Sequence, residues 1–229
     1  MMKAGERDAL LLLLAAASGS ADGWSYFGLG HAFVANMTGN TVLLGVSIFQ
    51  VGPGMLHPLI ALTAYVTGTA AGTLLSRNVQ PGAPWAKAIS WTLFAEALLL
   101  IVAEVAWIAS GFHPQPRTAD TLLCVLALAI GMQSGAMVQL NIPGVVTTYI
   151  TGTWTTLSNG ITLLLSRQPR VVNQEKKFEQ RFALQGGVLG AYFLSAVFTG
   201  WAFRFSPGLV GALPSVAVLL AAAYGALRI

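Results

Sequence analysis

Residues 23–76 read GWSYFGLGHAFVANMTGNTVLLGVSIFQVGPGMLHPLIALTAYVTGTAAGTLLS, without one Asp, Glu, Lys or Arg, and that absence decides the class of fold. Residues 121–166 form a second charge-free run. Each run holds two helices of about 20 residues, and a helix of that length crosses roughly 30 Å of hydrocarbon. Of the 229 residues only 9% are charged and 55% are hydrophobic, with a mean hydropathy of +0.69. A soluble domain carries about 25% charged residues. The class that absorbs such a composition is all-α: a polytopic transmembrane helical bundle.

Outward from these runs, eight apolar segments can be drawn: Ala9–Phe33, Val34–Phe49, Leu56–Ser76, Trp85–Ser110, Thr121–Leu140, Val145–Ser166, Phe182–Phe203 and Leu209–Leu227. Turn chemistry separates them at Gly52-Pro53-Gly54, Pro81-Gly82, Pro114 with Pro116, Pro143-Gly144 and Pro207-Gly208. Only Arg167–Arg181 reads as a substantial polar loop, and no soluble domain is left over, so residues 1–229 form a single transmembrane domain. The start, with Lys3 and Arg7 before Leu10–Leu14, has the outline of a secretory signal. Glu6 and Asp8 cancel its basic head, and the apolar character continues past Gly23.

The net charge of +4 is not gathered on an aromatic-interleaved face, so nucleic acid is not the expected partner. The lone Cys124 supports neither a disulfide framework nor a zinc site and reads as packing. Trp85, Trp107 and Trp201 fall near segment ends, where interfacial anchors belong.

The halves, about residues 8–110 and 120–228, read as internal repeats. Met37-Thr38-Gly39-Asn40 answers to Ile150-Thr151-Gly152-Thr153, and Ala64-Tyr65 answers to Ala191-Tyr192. The offsets are 113 and 127, so the second half gains 14 residues in between, which the loop Arg167–Arg181 can hold. Two topologies fit. With eight crossings the repeats are parallel and nine of the twelve basic residues are cytoplasmic; with the second and sixth segments re-entrant, six crossings remain, the repeats are inverted and ten of twelve are cytoplasmic. Both put the two termini in the cytoplasm.

Polar residues in hydrocarbon are costly and usually face a bundle interior or a cavity. In the first half they cluster at Asp22, Asn36, Thr38, Gly39, Asn40 and Thr41, and Gly19–Gly23 and Asn36–Thr41 are both plausible helix interruptions. An interrupted helix exposes backbone N–H groups that must find partners. The end continuing from Asn40 suits an anion or carboxylate, although Asn40 or Thr38 can equally be an ordinary N-cap. The second half offers Gln133, Thr148, Thr151, Gly152 and Thr153, without charge, so coupling of solute movement to a proton or ion falls to Asp22, with Glu96 a second candidate. Glu96 and Glu104 sit roughly 80° apart on one helix, loosely facing one cavity or separately buried.

His31, His57 and His113 are scattered, which does not suit a metal site. No catalytic or phosphate-loop motif is present, so no enzyme and no cofactor are expected. The expected partners are the lipid bilayer and a small-molecule or ion substrate; the oligomeric state stays open, a homo-oligomer included.

Gly19–Asp22 followed by Phe33-Val34-Ala35-Asn36-Met37-Thr38-Gly39-Asn40, reinforced by Thr147-Thr148-Tyr149-Ile150-Thr151-Gly152-Thr153, resembles the YoaK-like family of bacterial membrane proteins, a family of unknown function. The resemblance runs along nearly the whole chain. It implies a bacterial inner-membrane protein whose first segment is retained, and it supplies no substrate or reaction. Small-solute transport through a site at broken helices is the function expected from architecture; a non-transporting sensor or assembly protein is the alternative.

Overall fold

The computed structural model describes residues 2–49, 53–79, 85–140, 150–165 and 172–228. Among them are eight α-helices and no strand: α1 (Ala4–Gly28), α2 (Met37–Ser47), α3 (Leu56–Ser76), α4 (Lys87–Ala109), α5 (Pro116–Val138), α6 (Ile150–Leu165), α7 (Val172–Phe205) and α8 (Ala212–Leu227). Five stretches are long and apolar enough to cross a membrane: α3, α4, α5, Gln180–Phe205 within α7, and Pro207–Leu227, which includes α8. The 25-residue α1 falls short of that hydropathy because Asp22 and small polar residues interrupt its apolar run. It is instead an interior helix, with Leu11, Leu14, Ala17, Ala21 and Trp24 all buried.

The helix ends follow local chemistry. Gly30 and His31 have positive φ, 99° and 58°, which turns the chain sharply after α1. Pro116 opens α5, where its missing N–H costs nothing. Two expectations about the backbone need correction. Gly19–Gly23 does not interrupt a helix, since α1 runs straight through it. The polar stretch from Val172 to Arg181 is not loop but the first turns of the 34-residue α7, in keeping with its many good helix formers.

Helix pairing is led by close backbone approach at glycine. A Cβ on Gly68 or Gly72 would collide with the Leu128 or Met132 backbone, and one on Gly131 or Gly135 with that of Tyr65, Thr69 and Thr73. These contacts advance together along both chains, so α3 and α5 run parallel. In the same way Gly19 meets Tyr192 and Ser195 while Gly23 meets Ala196 and Thr199, so α1 and α7 run parallel. Such small-residue seams let helices pack where lipid supplies no hydrophobic drive. In contrast, α4 and α8 are antiparallel, with Gly225 against Ser90 and Gly211 against Glu104.

The end of α1, the start of α3 and the start of α5 share one face of the bundle, because the His57 ring lies on Gly30 and His57 Nε2 is 3.3 Å from Asp120 Oδ1. At the opposite face the chain ends meet: the Tyr224 hydroxyl donates to Glu6 Oε1 at 2.8 Å and Arg228 pairs with Glu6 at 3.1 Å. Since α1 ends and α3 begins on the same face, the non-helical segment after α1 leads inward before α2 starts.

Two of the three expected interfacial tryptophans are instead structural. Trp107 is 1% exposed and donates to the Pro207 carbonyl at 2.9 Å; Trp85 is 5% exposed and donates to Ser90 Oγ at 2.9 Å. A buried indole needs such a partner. Only Trp201 is exposed. Cys124 is exposed on the outer surface of α5 rather than packed.

Candidate functional site

Between α1 and α2 the chain is non-helical, and Asp22 organises it. Its side chain is 4% exposed. Oδ1 accepts the backbone N–H groups of Val34 at 2.7 Å, Ala35 at 2.6 Å and Asn36 at 3.4 Å, and Oδ2 accepts the Tyr192 hydroxyl. Asp22 lies six residues before the end of α1, a rise of roughly 9 Å, so the chain has already turned back into the bundle when α2 begins. The carboxylate that these N–H groups hold is the protein's own, and they precede α2 rather than forming the helix end expected to suit an anion.

Asn36, rather than Thr38 or Asn40, caps α2: its Oδ1 accepts the Gly39 N–H at 3.1 Å, and the helix starts three residues before Asn40. Asn40 is buried and clamps Phe33, accepting its N–H at 2.9 Å and donating to its carbonyl at 2.6 Å. That pair of bonds holds the non-helical segment of chain against the helix it feeds. A Cβ on Gly39 would lie 2.9 Å from Asn36 Nδ2 and 3.0 Å from the Phe33 ring, so glycine is what lets cap and ring close over the first turn.

Beside this turn is a cavity of about 430 Å³, lined by Ala35, Asn36, Met37 and Thr38 from the start of α2, Tyr65 and Thr69 from α3, Ser134 and Val138 from α5, Ile150 and Thr151 from the start of α6, and Tyr192 from α7. The Tyr65 hydroxyl donates to Ser134 Oγ at 2.8 Å, which in turn donates to the Ile130 carbonyl at 3.1 Å. No Asp, Glu, Lys, Arg or His stands among the described lining residues.

Of the residues singled out from sequence, Asn36, Thr38 and Thr151 line the cavity, and Asp22 reaches its wall through Tyr192. The rest lie elsewhere. Gly39 and Asn40 belong to the cap and clamp. Thr41 bonds back to the Met37 carbonyl at 2.8 Å. Gln133 ties α5 to α1, donating to the Leu14 carbonyl at 3.2 Å and Ser18 Oγ at 3.0 Å. Thr153 is 2% exposed and Gly152 accepts a bond from Thr156, neither lining the cavity. Thr148 lies outside the described residues. Glu96 is fully buried on α4, away from the cavity, with no hydrogen-bond partner for either oxygen among the described residues. Glu104 is only half-buried and lies against Gly211, so the two do not share a cavity. Sequence reasoning marked Tyr65 and Tyr192 as repeat partners without assigning them to the site; two phenols at equivalent places in apolar helices were the available signal.

A helical bundle with several long apolar helices, around a polar cavity at the start of two short ones, defines a multi-pass membrane protein. The family model described as "Protein of unknown function (DUF1275)" matches residues 10–225, and the chain belongs to that family. It is similar to the UPF0700 transmembrane protein YoaK of Bacillus subtilis (strain 168), 33% identical over 162 residues, covering 70% of each chain. No solved structure matches.

Proposed function

We propose that this protein carries a small polar solute across the bacterial inner membrane, with the cavity as its binding site and Asp22 coupling movement to a proton. The observation that carries the reading is the cavity itself, walled by the first turns of both α2 and α6 and by one tyrosine from each half of the chain. Inverted-repeat transporters place their sites where discontinuous helices of the two halves meet. No catalytic step is assigned.

Reciprocal pairing supports two inverted halves, residues 8–110 and 120–228. Helix α1 packs on α7 while α5 packs on α3. Tyr192 of the second half reaches Asp22 of the first, and Tyr65 of the first half reaches Ser134 of the second. The 11 residues of α2 rise about 16 Å, short of the hydrocarbon thickness. We therefore take α2, and by repeat symmetry α6, as re-entrant, and the antiparallel run of α4 and α8 fits the six crossings that this leaves. Ten of the twelve basic residues, all but Arg117 and Arg204, then lie on the face that holds both termini, which makes that face cytoplasmic.

The test is an unbiased binding screen of purified protein against metabolites, followed by uptake of any hit into proteoliposomes with and without a pH gradient. We expect a hit that raises thermal stability by mass action, accumulates in proteoliposomes, and loses its response to the gradient in Asp22→Asn. Binding without movement would favour the sensor reading and reject transport. Movement unaffected by Thr38→Val and Thr151→Val would reject the site.

A further inference from the structure

Proton accounting around the cavity narrows the solute. Asp22 is the nearest formal charge, and it is already answered: three backbone N–H groups converge on Oδ1 and the Tyr192 phenol occupies Oδ2. Those N–H groups belong to residues 34–36, just before α2, and in the first turn of α2 itself the Gly39 N–H is taken by Asn36 Oδ1. The polar side chains on the wall, those of Asn36, Thr38, Thr69, Thr151 and Tyr192 among them, are all uncharged. An ion entering this space would give up water without meeting an unspent counter-charge, the costliest kind of burial.

Hydrogen-bond polarity adds a second constraint. The Tyr192 proton is committed to Asp22, so the phenol oxygen on the cavity wall has only lone pairs to offer. Asn36 Oδ1 already accepts the Gly39 N–H, and its amide protons remain to be donated. We infer that the cavity binds an uncharged small solute that donates a hydrogen bond to Tyr192 and accepts one from Asn36, the pattern of an amide or a polyol, and that it discriminates against carboxylates and ammonium ions of the same size. This rests on the cavity being the solute site. Tyr192 acts here as the specificity-determining contact.

The probes are propanamide, propanoate and propylammonium, three molecules of nearly equal size that differ in charge and donor pattern. Binding of each to the purified full chain is titrated by saturation-transfer NMR of the probe methyl group. We expect propanamide to bind about tenfold or more tightly than either ion, and Tyr192→Phe to weaken it about tenfold, the worth of one hydrogen bond, while Thr41→Val, outside the cavity, leaves it unchanged. Tighter or equal binding of either ion to the native protein, absence of propanamide binding, or indifference of a folded Tyr192→Phe variant would each overturn the inference. The native ranking decides even if a variant fails to fold. Proteoliposome flux separates this from the transport reading: propanoate that binds best and moves would sink the inference and spare transport, whereas propanamide that binds but never moves would do the reverse.

Discussion

Replacing Asp22 by Ala should be the most damaging single change near the cavity, and its size can be worked from the bonds it removes. Oδ1 satisfies two close backbone N–H groups, at 2.7 and 2.6 Å, and a third at the limit of hydrogen bonding, 3.4 Å. The two close ones belong to Val34 and Ala35, which are buried, where water cannot replace the lost acceptor. Each orphaned buried donor costs about 1–3 kcal/mol, so the two close ones together cost about 4 kcal/mol, roughly a thousandfold in the folding equilibrium. Asp22→Asn keeps an acceptor for the N–H groups and should lose only the charge-assisted part, about 1–2 kcal/mol. Tyr192→Phe removes one donor and should cost a similar amount. The assay is equilibrium unfolding in mixed detergent micelles, followed by tryptophan fluorescence, since buried Trp24 sits two residues from the site on α1. If Asp22→Ala proved no less stable than Tyr192→Phe, the view that this carboxylate organises the break between α1 and α2 would be wrong.

Gly72→Ala should destabilise by about 2–3 kcal/mol, since its methyl would lie 2.8 Å from the Met132 carbonyl carbon with only backbone to yield. Gly45→Ala, with nothing within 4 Å, should instead stabilise α2 by up to about 1 kcal/mol through helix propensity; the same unfolding assay checks both. Glu6, outside the crossing segments, is held below its ordinary value of 4.5 by the Lys3 N–H, then the Tyr224 hydroxyl, with Arg228 adding attraction. Its depressed folded-state value means that the terminal tie is present above about pH 4.5 and lost as pH falls through and below it. Acidification through that window should therefore lower the thermal midpoint of the native protein more than that of Glu6→Gln. In a Cys124-free background, a cysteine at Gln115 should react with an impermeant reagent added outside cells, and one at Asn78 should not; the opposite pattern would reject six crossings.

The class of protein was legible in composition alone, because removing charge from residues 23–76 and 121–166 leaves the bilayer as the solvent these segments suit. Gly68 and Gly72, small residues at four-residue spacing, form the seam at which α3 meets α5. Thr38-Gly39-Asn40 and Thr151-Gly152-Thr153 could be seen as equivalent, yet their division of labour could not. Side chains two residues apart in the first turn of α2 point about 200° apart, so Thr38 faces the cavity while Asn40 turns inward to clamp Phe33. Nor could periodicity foresee that Asp22 would spend its charge on residues 34–36, or that Tyr192, 170 positions away, would close over it. Those bonds join elements that no local pattern brings together. They form because a buried carboxylate and an uncapped backbone each need a partner, and only the packing of α7 along α1 decides which one is within reach.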